Sequence, residues 1–301
     1  MTDTEYRCGF IAIVGRPNVG KSSLLNKIMG QKISITSRKR QTTRHRILGI
    51  KSEENMQAIY VDTPGMHLGG KTAMNRYMNR AANTVLSDVD VVLFVVDINK
   101  WTQEDDNVVE RMKRESAPII LVMNKVDNMK DKSALLPMIT ELSTKMNFAE
   151  VVPLSARKGT NIDTLQDLVK HYLPVSGPLF PEEQVTDKSE RFIASEIIRE
   201  KLMRRLQQEL PYSLTTQIEK FKMEKNILHI AATIWVERDS QKGIVVGKSG
   251  DVLKEIGKQA RIDMENAFEN KVHLDLWVKV KEGWSDNENL MKRLGYDELN
   301  Q

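Results

Sequence analysis

The sequence GRPNVGKS spans Gly15 to Ser22, between an apolar run (10–14) and a helical pattern of apolar residues (24–29). It matches the phosphate-loop pattern G-x-x-x-x-G-K-[ST]. Glycines allow such a loop to turn its backbone N–H groups toward a polyphosphate, and the following helix directs its positive end at the same anion. The stretch therefore predicts a strand, a nucleoside triphosphate loop and a helix, in an α/β fold. An ordinary solvated glycine turn is the alternative.

The residues of this loop have predicted roles that follow from their chemistry. The Lys21 ammonium should reach the outer phosphates, and the Ser22 hydroxyl should ligate magnesium. The predicted nucleotide contacts are Gly15, Arg16, Pro17, Asn18, Val19, Gly20, Lys21 and Ser22.

A second segment distinguishes guanine from adenine. The apolar run 119–123 ends in NKVD (124–127), which resembles the N-K-x-D base-recognition motif of the GTPase superfamily. The Asp127 carboxylate would accept hydrogen bonds from the ring N–H and the exocyclic amine of guanine, whereas adenine would leave this charge without partners. The triplet LSA (154–156) resembles the loop whose backbone N–H contacts the guanine carbonyl oxygen. The predicted base contacts are Asn124, Lys125, Asp127, Ser155 and Ala156.

The segment DTPG (62–65) lies between these motifs and follows an apolar run. It resembles the element that senses magnesium and the γ-phosphate in the same superfamily. Asp62 would hold a magnesium-bound water, and the Gly65 N–H would contact the γ-phosphate. Asp-x-x-Gly alone is a common turn, but its position after a phosphate loop and before NKVD favours the functional interpretation. The predicted contacts are Asp62, Thr63, Pro64, Gly65 and Met66.

The polar segment QTTRH (41–45) matches the mobile switch whose threonine closes over magnesium and the γ-phosphate. Thr43 is the predicted ligand, with Thr42 as the alternative. Ser22, Thr43 and Asp62 would then form the magnesium site. The basic residues of 38–46 are either part of an exposed loop or contacts for phosphate or RNA.

Met66 follows DTPG at the position where signalling GTPases place a water-orienting glutamine. A thioether cannot orient an attacking water. His67 comes next, and a lone histidine in a loop is usually solvated, so no side-chain base is assigned. The sequence resembles GTPases with a hydrophobic residue here, in some of which a phosphate-loop asparagine holds a potassium ion. Asn18 occupies the matching place, which makes potassium activation a hypothesis. The residues predicted to act in catalysis are Lys21, Thr43, Gly65 and Asn18.

Length and periodicity predict two domains. The chain has 301 residues, against about 150 for one typical domain. From 10 to 173, short β-branched runs alternate with helical patterns, which predicts a mostly parallel sheet with helices on both faces. With the motifs above, this part of the chain resembles a Ras-like P-loop GTPase domain. The proline-bearing segment 174–187 indicates a linker. The predicted boundaries are 1–175 for the GTPase domain, 176–188 for the linker and 189–301 for the second domain with its C-terminal tail.

The second domain has a predicted order of helix (189–210), two strands (212–221 and 227–236), glycine loop, helix and final strand (273–280). This order, with IVVGKSG (244–250) opening the second helix, resembles a KH domain of the prokaryotic type, an α+β type II KH fold. In such a domain the loop packs against about four unpaired nucleotides. The predicted RNA contacts are Gly247, Lys248, Ser249, Gly250 and Lys254.

Charge gives RNA binding mild support, because the formal net charge is only +4. The location of the cations is more informative, since four lie on the first helix of the second domain and five surround the glycine loop. Trp235 and Trp277 lie in alternating patterns and are predicted to be core residues. Trp284 and the acidic tail from Asp286 have no predicted role. The nine cations are Arg199, Lys201, Arg204, Arg205, Lys242, Lys248, Lys254, Lys258 and Arg261.

The motifs GRPNVGKS, QTTRH, DTPGMH, NKVD, LSA and GKSG occur in this order between residues 6 and 296. Together they resemble the Era family of bacterial GTPases. The resemblance implies a GTP hydrolase that uses Mg²⁺ and binds the 3′ end of small-subunit (16S) ribosomal RNA through its KH domain. It further implies assistance to 30S subunit assembly, with GTP controlling access of RNA. The expected protein is a cytoplasmic monomer with some peripheral association with the inner membrane.

Two other functions remain as alternatives. One is an RNA-binding protein that uses GTP as a latch with negligible turnover, and the other is a signalling GTPase whose KH-like domain binds a protein. The apolar runs are shorter than the roughly 18 to 20 residues that span a bilayer, and the polar start MTDTEY does not resemble a signal peptide. The single cysteine excludes an internal disulfide and suits a reducing compartment.

Overall fold

The structure is a computed structural model that describes residues 5–65, 72–86, 88–129, 131–207 and 210–296. The chain divides into two compact units. The first unit comprises Met1–Ser34, Thr43–Gly69 and Met78–Asp187. The second unit comprises Ile35–Thr42, Gly70–Tyr77 and Lys188–Gln301. The domain boundaries inferred from the sequence stay a prediction.

The first unit is built on a sheet whose strands match the β-branched runs of the sequence. The strands are β1 (Arg7–Val14), β2 (Ile47–Glu53), β3 (Met56–Asp62), β4 (Val91–Asp97), β5 (Ile119–Asn124) and β6 (Glu150–Leu154). Over the described residues their order in the sheet is β2-β3-β1-β4-β5-β6. β2 pairs with β3 in antiparallel fashion, and the other neighbours pair in parallel. The mostly parallel sheet predicted from the sequence is confirmed.

Helices cover both faces of this sheet. They are α1 (Lys21–Met29), α2 (Ala73–Leu86), α3 (Gln103–Met112), α4 (Leu135–Ser143) and α5 (Ile162–Tyr172). The first turn of α2 belongs to the second unit. In β4 every residue from 91 to 96 is buried, and alternate residues belong to two different apolar clusters, one on each face. A continuous apolar run is typical of a strand that is covered on both sides.

The sheet determines where the motifs lie. In an open α/β sheet, ligands bind beyond the carboxyl ends of the parallel strands. The phosphate loop follows β1, DTPG begins at the end of β3, NKVD begins at the end of β5, and LSA begins at the end of β6. The four motifs therefore meet at one edge of the sheet.

The segment 176–187 runs along the first unit and is held by hydrogen bonds. The Ile50 N–H donates to the Val185 carbonyl oxygen over 2.9 Å, and the Leu48 N–H donates to Asp187 Oδ1 over 3.0 Å. The buried Gln57 side chain donates from Nε2 to the Phe180 carbonyl oxygen over 2.8 Å. The proline-bearing segment is thus ordered by donors on β2 and β3.

The second unit contains a smaller sheet. Its elements are α6 (Glu190–Arg205), β7 (Leu214–Glu224), β8 (Ile227–Val236), α7 (Asp239–Val246), α8 (Asp251–Phe268), β9 (Lys271–Val280) and α9 (Glu288–Arg293). Within the described part of the chain, the strand order is β7-β8-β9, with β7 antiparallel and β9 parallel to β8. Lys225 and Asn226, between β7 and β8, both have positive φ, as a two-residue hairpin turn requires.

The helix α7 was not predicted from the sequence. The Gln241 side chain caps its start, because Oε1 accepts hydrogen bonds from the backbone N–H groups of Glu237 and Arg238 over 2.8 and 3.1 Å. Val245 anchors the helix in the apolar core. Gly243 in its middle weakens the helical pattern, so the sequence did not indicate this helix.

Trp277 is not a core residue, so that prediction was wrong. Its relative exposure is 47%, and it lies on the side of β9 opposite Val272 and Val278, which are buried. A sheet that packs on helices with one face leaves the other face to solvent. Alternation shows that a strand has two faces, but it does not show where an aromatic side chain will lie.

Candidate functional site

Three hydroxyl and carboxylate side chains predicted to bind magnesium come together in the first unit. Ser22 Oγ lies 2.8 Å from Thr43 Oγ1 and donates to Asp62 Oδ2 over 2.7 Å. Thr42 is placed elsewhere, since its hydroxyl lies 2.7 Å from Ser37 Oγ within the second unit. The placement favours Thr43 over Thr42 as the ligand.

The chemistry of this cluster fits magnesium. Asp62 is fully buried, and its Oδ1 has no hydrogen-bond partner in the described structure. Burial raises the pKa of Asp62, although the Lys21 charge and the surrounding hydroxyls oppose that rise. A buried carboxylate with an unsatisfied oxygen needs a partner, and Mg²⁺ prefers hard oxygen ligands of this type.

Lys21 lies in the phosphate loop with little exposure to solvent. Its ammonium donates to the carbonyl oxygens of Gly15 and Arg16 over 2.9 and 3.2 Å. Burial lowers the pKa of Lys21 from 10.5 to about 8, and the nearby Asp62 charge opposes part of this shift. A phosphate anion beside the ammonium would supply the counter-charge that favours the protonated form.

Close backbone approaches fix the shape of the loop. A Cβ atom on Gly20, whose φ is +105°, would lie 2.4 Å from Asn124 Nδ2, and a Cβ atom on Gly65 would lie 2.9 Å from Pro17 Cγ. Real Cβ contacts are not this short, so both positions require glycine. Thr63 donates from Oγ1 to the Ile13 carbonyl oxygen over 3.0 Å, which ties DTPG to β1.

Asn124 connects three of the motifs. Its Nδ2 donates to the Val19 carbonyl oxygen over 2.9 Å. Its Oδ1 accepts from the backbone N–H groups of Lys125 and Ala156 over 2.8 and 3.0 Å. The phosphate loop, NKVD and LSA are therefore joined through one buried side chain.

Replacing Asn124 with alanine is expected to lower the free energy of unfolding by about 2 to 4 kcal/mol, because it leaves buried backbone groups without partners. Denaturant titration without nucleotide measures this loss. Asn128→Ala is the matched control, since Asn128 lies four positions later and is exposed. Equal unfolding free energies for the two variants would contradict the connecting role of Asn124.

Two residues of the predicted base pocket, Asp127 and Ser155, are in contact. Ser155, which is fully buried, donates from Oγ to Asp127 Oδ1 over 2.6 Å, and this bond orients the carboxylate. The Lys125 ammonium donates to the Asn18 carbonyl oxygen over 2.8 Å and to Asp97 Oδ2 over 2.7 Å. Lys125 thus links NKVD to the phosphate loop.

Asp97, Ser34 and Asp105 were missed by sequence reasoning. Asp97 ends β4 and pairs with Lys125, and Ser34 donates to Asp62 Oδ2 over 2.9 Å. Asp105 is buried and accepts from Arg16 Nε over 2.8 Å. Burial raises the pKa of Asp97, but hydrogen bonds from Lys125 and Asn99 outweigh burial and hold it below its ordinary value. An acidic residue at the carboxyl end of a buried strand was the available signal for Asp97.

The structure leaves the predictions on the attacking water untested. Met66 and His67 lie outside the described residues. Asn18 is exposed and has a φ of +66°. Its proposed role as a potassium ligand stays a prediction.

The glycine loop of the second unit lies directly before α8, as predicted. Gly247, Ser249 and Gly250 have φ values of +76°, +55° and +81°. This conformation turns the chain sharply at the helix N-terminus, where backbone N–H groups lack helical partners. Lys248 and Lys254 are exposed on the loop and on the first turn of α8.

Two of the four α6 cations proposed to contact RNA are buried, which corrects that prediction in part. Arg199 and Lys201 are 1% and 6% exposed. Arg199 pairs with Glu196 over 2.6 Å, and Lys201 pairs with Asp263 of α8. Arg204 and Arg205 are exposed. Helical periodicity alone does not reveal that acidic partners cover half of a basic cluster.

Two family models match the chain in agreement with the two units. A model described as a 50S ribosome-binding GTPase matches residues 10–125, and a KH domain model matches residues 209–285.

Curated relatives match over nearly the whole chain. GTPase Era of Pseudomonas fluorescens (strain Pf0-1) is 55% identical over 300 residues, which cover 99% of this chain and 100% of the relative. GTPase Era of Actinobacillus pleuropneumoniae serotype 5b (strain L20) is 59% identical over 290 residues, which cover 96% of this chain and 95% of the relative.

Two solved structures share the whole fold. One is Era in complex with MgGDPNP and nucleotides 1506–1542 of 16S ribosomal RNA, with a TM-score of 0.93 and 40% identity over 97% of this chain and 99% of that chain. The other is a single-residue variant of Aquifex aeolicus Era bound to GDP.AlF4⁻, with a TM-score of 0.92 and 39% identity over 96% of this chain and 99% of that chain. Full-length identity, both family models and the shared fold lead to one conclusion: the chain belongs to the Era family of GTPases.

Proposed function

We propose that this protein hydrolyses GTP to GDP and phosphate and binds single-stranded RNA near the 3′ end of 16S ribosomal RNA. The observation that carries the proposal is that the Ser22 side chain contacts both Thr43 and Asp62 by hydrogen bonds. The same chain places a G-x-x-G loop directly before α8. A similar solved structure holds MgGDPNP and nucleotides 1506–1542 of 16S ribosomal RNA. Assistance to 30S subunit assembly is proposed from membership of the Era family.

Different residues of the first unit bind the phosphates and the base of GTP. The loop N–H groups and Lys21 bind the phosphates, and Asp127, oriented by Ser155, selects guanine. Ser22, Thr43 and Asp62 would hold Mg²⁺, which neutralises phosphate charge when bound. The Gly65 N–H contacts the γ-phosphate, so the presence of that phosphate is sensed by the segments around Thr43 and Gly65. No side-chain base is assigned to the attacking water.

Potassium is expected to raise the rate of GTP hydrolysis, because it would supply positive charge at a site that lacks the water-orienting glutamine. Asn18 is exposed within the phosphate loop, where its side chain would hold the ion. Initial rates in potassium and in sodium buffers of equal ionic strength measure the effect, and we expect a potassium-to-sodium ratio above one that falls toward one in Asn18→Ala. Equal rates of the unaltered protein in the two buffers would exclude activation by potassium.

RNA affinity is proposed to depend on the nucleotide, with GTP favouring binding and hydrolysis resetting the protein. A cytoplasmic monomer with peripheral association with the inner membrane remains the expectation from the family resemblance. No helix among the described residues is long and apolar enough to cross a membrane.

The rate of GTP hydrolysis, measured with and without RNA, tests this function against its rivals. The RNA should carry the 3′-terminal sequence of 16S ribosomal RNA, and its reversed sequence is the control. Multiple turnovers that respond to the first RNA but not to the second support the proposed function. GTP binding without turnover would favour the latch, and absence of affinity for either RNA would favour a signalling GTPase with a protein partner.

A further inference from the structure

Residues 35–42 precede Thr43 and belong to the second unit. Within that unit the Thr36 N–H donates to Glu200 Oε1 over 2.9 Å, and Thr36 Oγ1 donates to the same oxygen over 3.3 Å. Arg204 Nη2 donates to Thr36 Oγ1 over 3.1 Å and to Glu200 Oε1 over 3.0 Å. One end of the segment is therefore bound to α6.

The other end of the segment is bound to the same helix. Arg199 Nη2 donates to the Thr42 carbonyl oxygen, and Arg199 Nε donates to Glu196 Oε1 over 2.7 Å. The Lys39 ammonium donates to the Leu206 carbonyl oxygen just after α6. Contacts with α6 thus hold residues 36 and 42, which lie near the two ends of the segment.

These contacts are made by buried charges. Glu200 is fully buried and Arg199 is 1% exposed. A buried charge is costly unless hydrogen bonds satisfy it, so both side chains favour the conformation of 35–42 that supplies their partners. Lys201 lies 3.7 Å from Glu200 Oε2 and also pairs with Asp263 of α8. The same cluster of charges therefore contacts the helix that follows the glycine loop.

The first residues of α2, which belong to the second unit, contact the C-terminal part of that unit. The Ala73 N–H donates to Asp286 Oδ1 over 2.9 Å. The rings of Tyr77 and Tyr296 meet edge to face with centroids 5.6 Å apart, and Trp284, fully buried, stacks on Tyr296 at 5.9 Å. The residues around Trp284 and Asp286, for which the sequence predicted no role, thus contact the start of α2.

We infer that Glu200 and Arg199 are positioning residues for GTP hydrolysis: by holding residues 36 and 42, they order the segment that leads directly into Thr43. The inference rests on the magnesium role proposed for Thr43. Adjacent Cα atoms are about 3.8 Å apart, so an anchored Thr42 leaves Thr43 little freedom. GDP has no γ-phosphate for Thr43 to close over, so the effect belongs to the triphosphate state.

The test compares Glu200→Ala, Glu200→Gln and Thr36→Val, with Glu190→Ala as the matched control, an exposed glutamate in the first turn of the same helix. We expect Glu200→Ala to lower kcat roughly tenfold and to raise the Mg²⁺ concentration for half-maximal rate severalfold. GDP affinity should stay within about twofold of the unaltered protein. Glu200→Gln retains an oxygen that accepts from the Thr36 N–H and should recover most of the rate. Thr36→Val, made on the opposite side of the contact, should shift kcat and the Mg²⁺ requirement in the same direction.

Thr43→Ala separates failure of this inference from failure of the proposed function. If Thr43→Ala leaves the Mg²⁺ requirement unchanged, the magnesium role of Thr43 is wrong. If Thr43→Ala raises it while Glu200→Ala and Thr36→Val both match Glu190→Ala, the positioning role of α6 is wrong and the magnesium site stands. Thermal unfolding of each variant identifies a loss of rate that comes from unfolding. Should Glu200→Ala not fold, Thr36→Val decides.

Discussion

Replacing Asp127 with asparagine is expected to lower GTP affinity by at least about a hundredfold, since a site that hydrogen-bonds a base strongly rejects a partner with the wrong donors. The carboxylate accepts from two guanine N–H groups, whereas an amide presents one acceptor and one donor. That pair matches the N–H and the adjacent carbonyl of xanthine. Ser155 Oγ, 2.6 Å from Asp127 Oδ1, should orient the amide as it orients the carboxylate. The variant should therefore bind and hydrolyse xanthosine triphosphate.

Competition binding with GDP and xanthosine diphosphate measures the exchange of specificity. Asp167→Asn is the matched control, because Asp167 is exposed on α5 and distant in sequence from the base motifs. If the Asp127 variant loses GDP affinity without gaining affinity for the xanthine nucleotide, a general disturbance of the pocket explains the loss. If the Asp127→Asn variant keeps full GDP affinity, Asp127 does not recognise the base.

Replacing Gly250 with aspartate is expected to lower RNA affinity by roughly ten- to a hundredfold, because a negative charge would oppose the phosphate chain at the loop. Gly250 has a φ of +81°, and an added Cβ there meets no atom within 4 Å. A Cβ on Gly247 would lie 2.2 Å from Asp251 Oδ1, so substitution at that position would disturb α8. Gly250 is therefore the cleaner position for the test.

Gly283→Asp controls for the backbone, since Gly283 also has a positive φ (+63°) and open space. Both variants place an aspartate at a positive φ with open space around its Cβ, but only one lies at the loop. Fluorescence anisotropy with a labelled RNA at two salt concentrations gives the affinities. Equal losses in the two variants would indicate strain, and an unchanged affinity of Gly250→Asp would argue against the loop as the RNA site.

The motifs of the predicted nucleotide site could be placed on the fold from the sequence because each motif is local. Each motif follows a strand end, and a mostly parallel sheet brings strand ends together. Ser22, Thr43 and Asp62 could therefore be named before their contacts were known. In the structure Thr43, the predicted ligand, contacts Ser22 in the first unit, whereas Thr42, the alternative, contacts Ser37 in the second. The magnesium role of Thr43 stays a prediction.

The sequence was less informative where burial depends on distant segments. Arg199 and Lys201 resembled solvent-facing cations, but both are buried. Their distant partners are the Thr42 carbonyl oxygen, which accepts from Arg199, and Asp263 of α8, which pairs with Lys201. Trp284 had no periodic pattern, and its burial depends on Tyr296 and on the Ser213 carbonyl oxygen, to which its indole N–H donates over 3.2 Å. Partners that are far apart in sequence leave no pattern in a single chain.

We propose that the nucleotide bound by the first unit controls RNA binding by the second. The most direct test measures affinity of the unaltered protein for RNA with the 3′-terminal sequence of 16S ribosomal RNA, first with GDP and then with a non-hydrolysable GTP analogue. We expect at least about tenfold tighter binding with the analogue, a coupling that must appear equally in nucleotide affinity when RNA is added. Equal RNA affinities in the two nucleotide states would contradict the account.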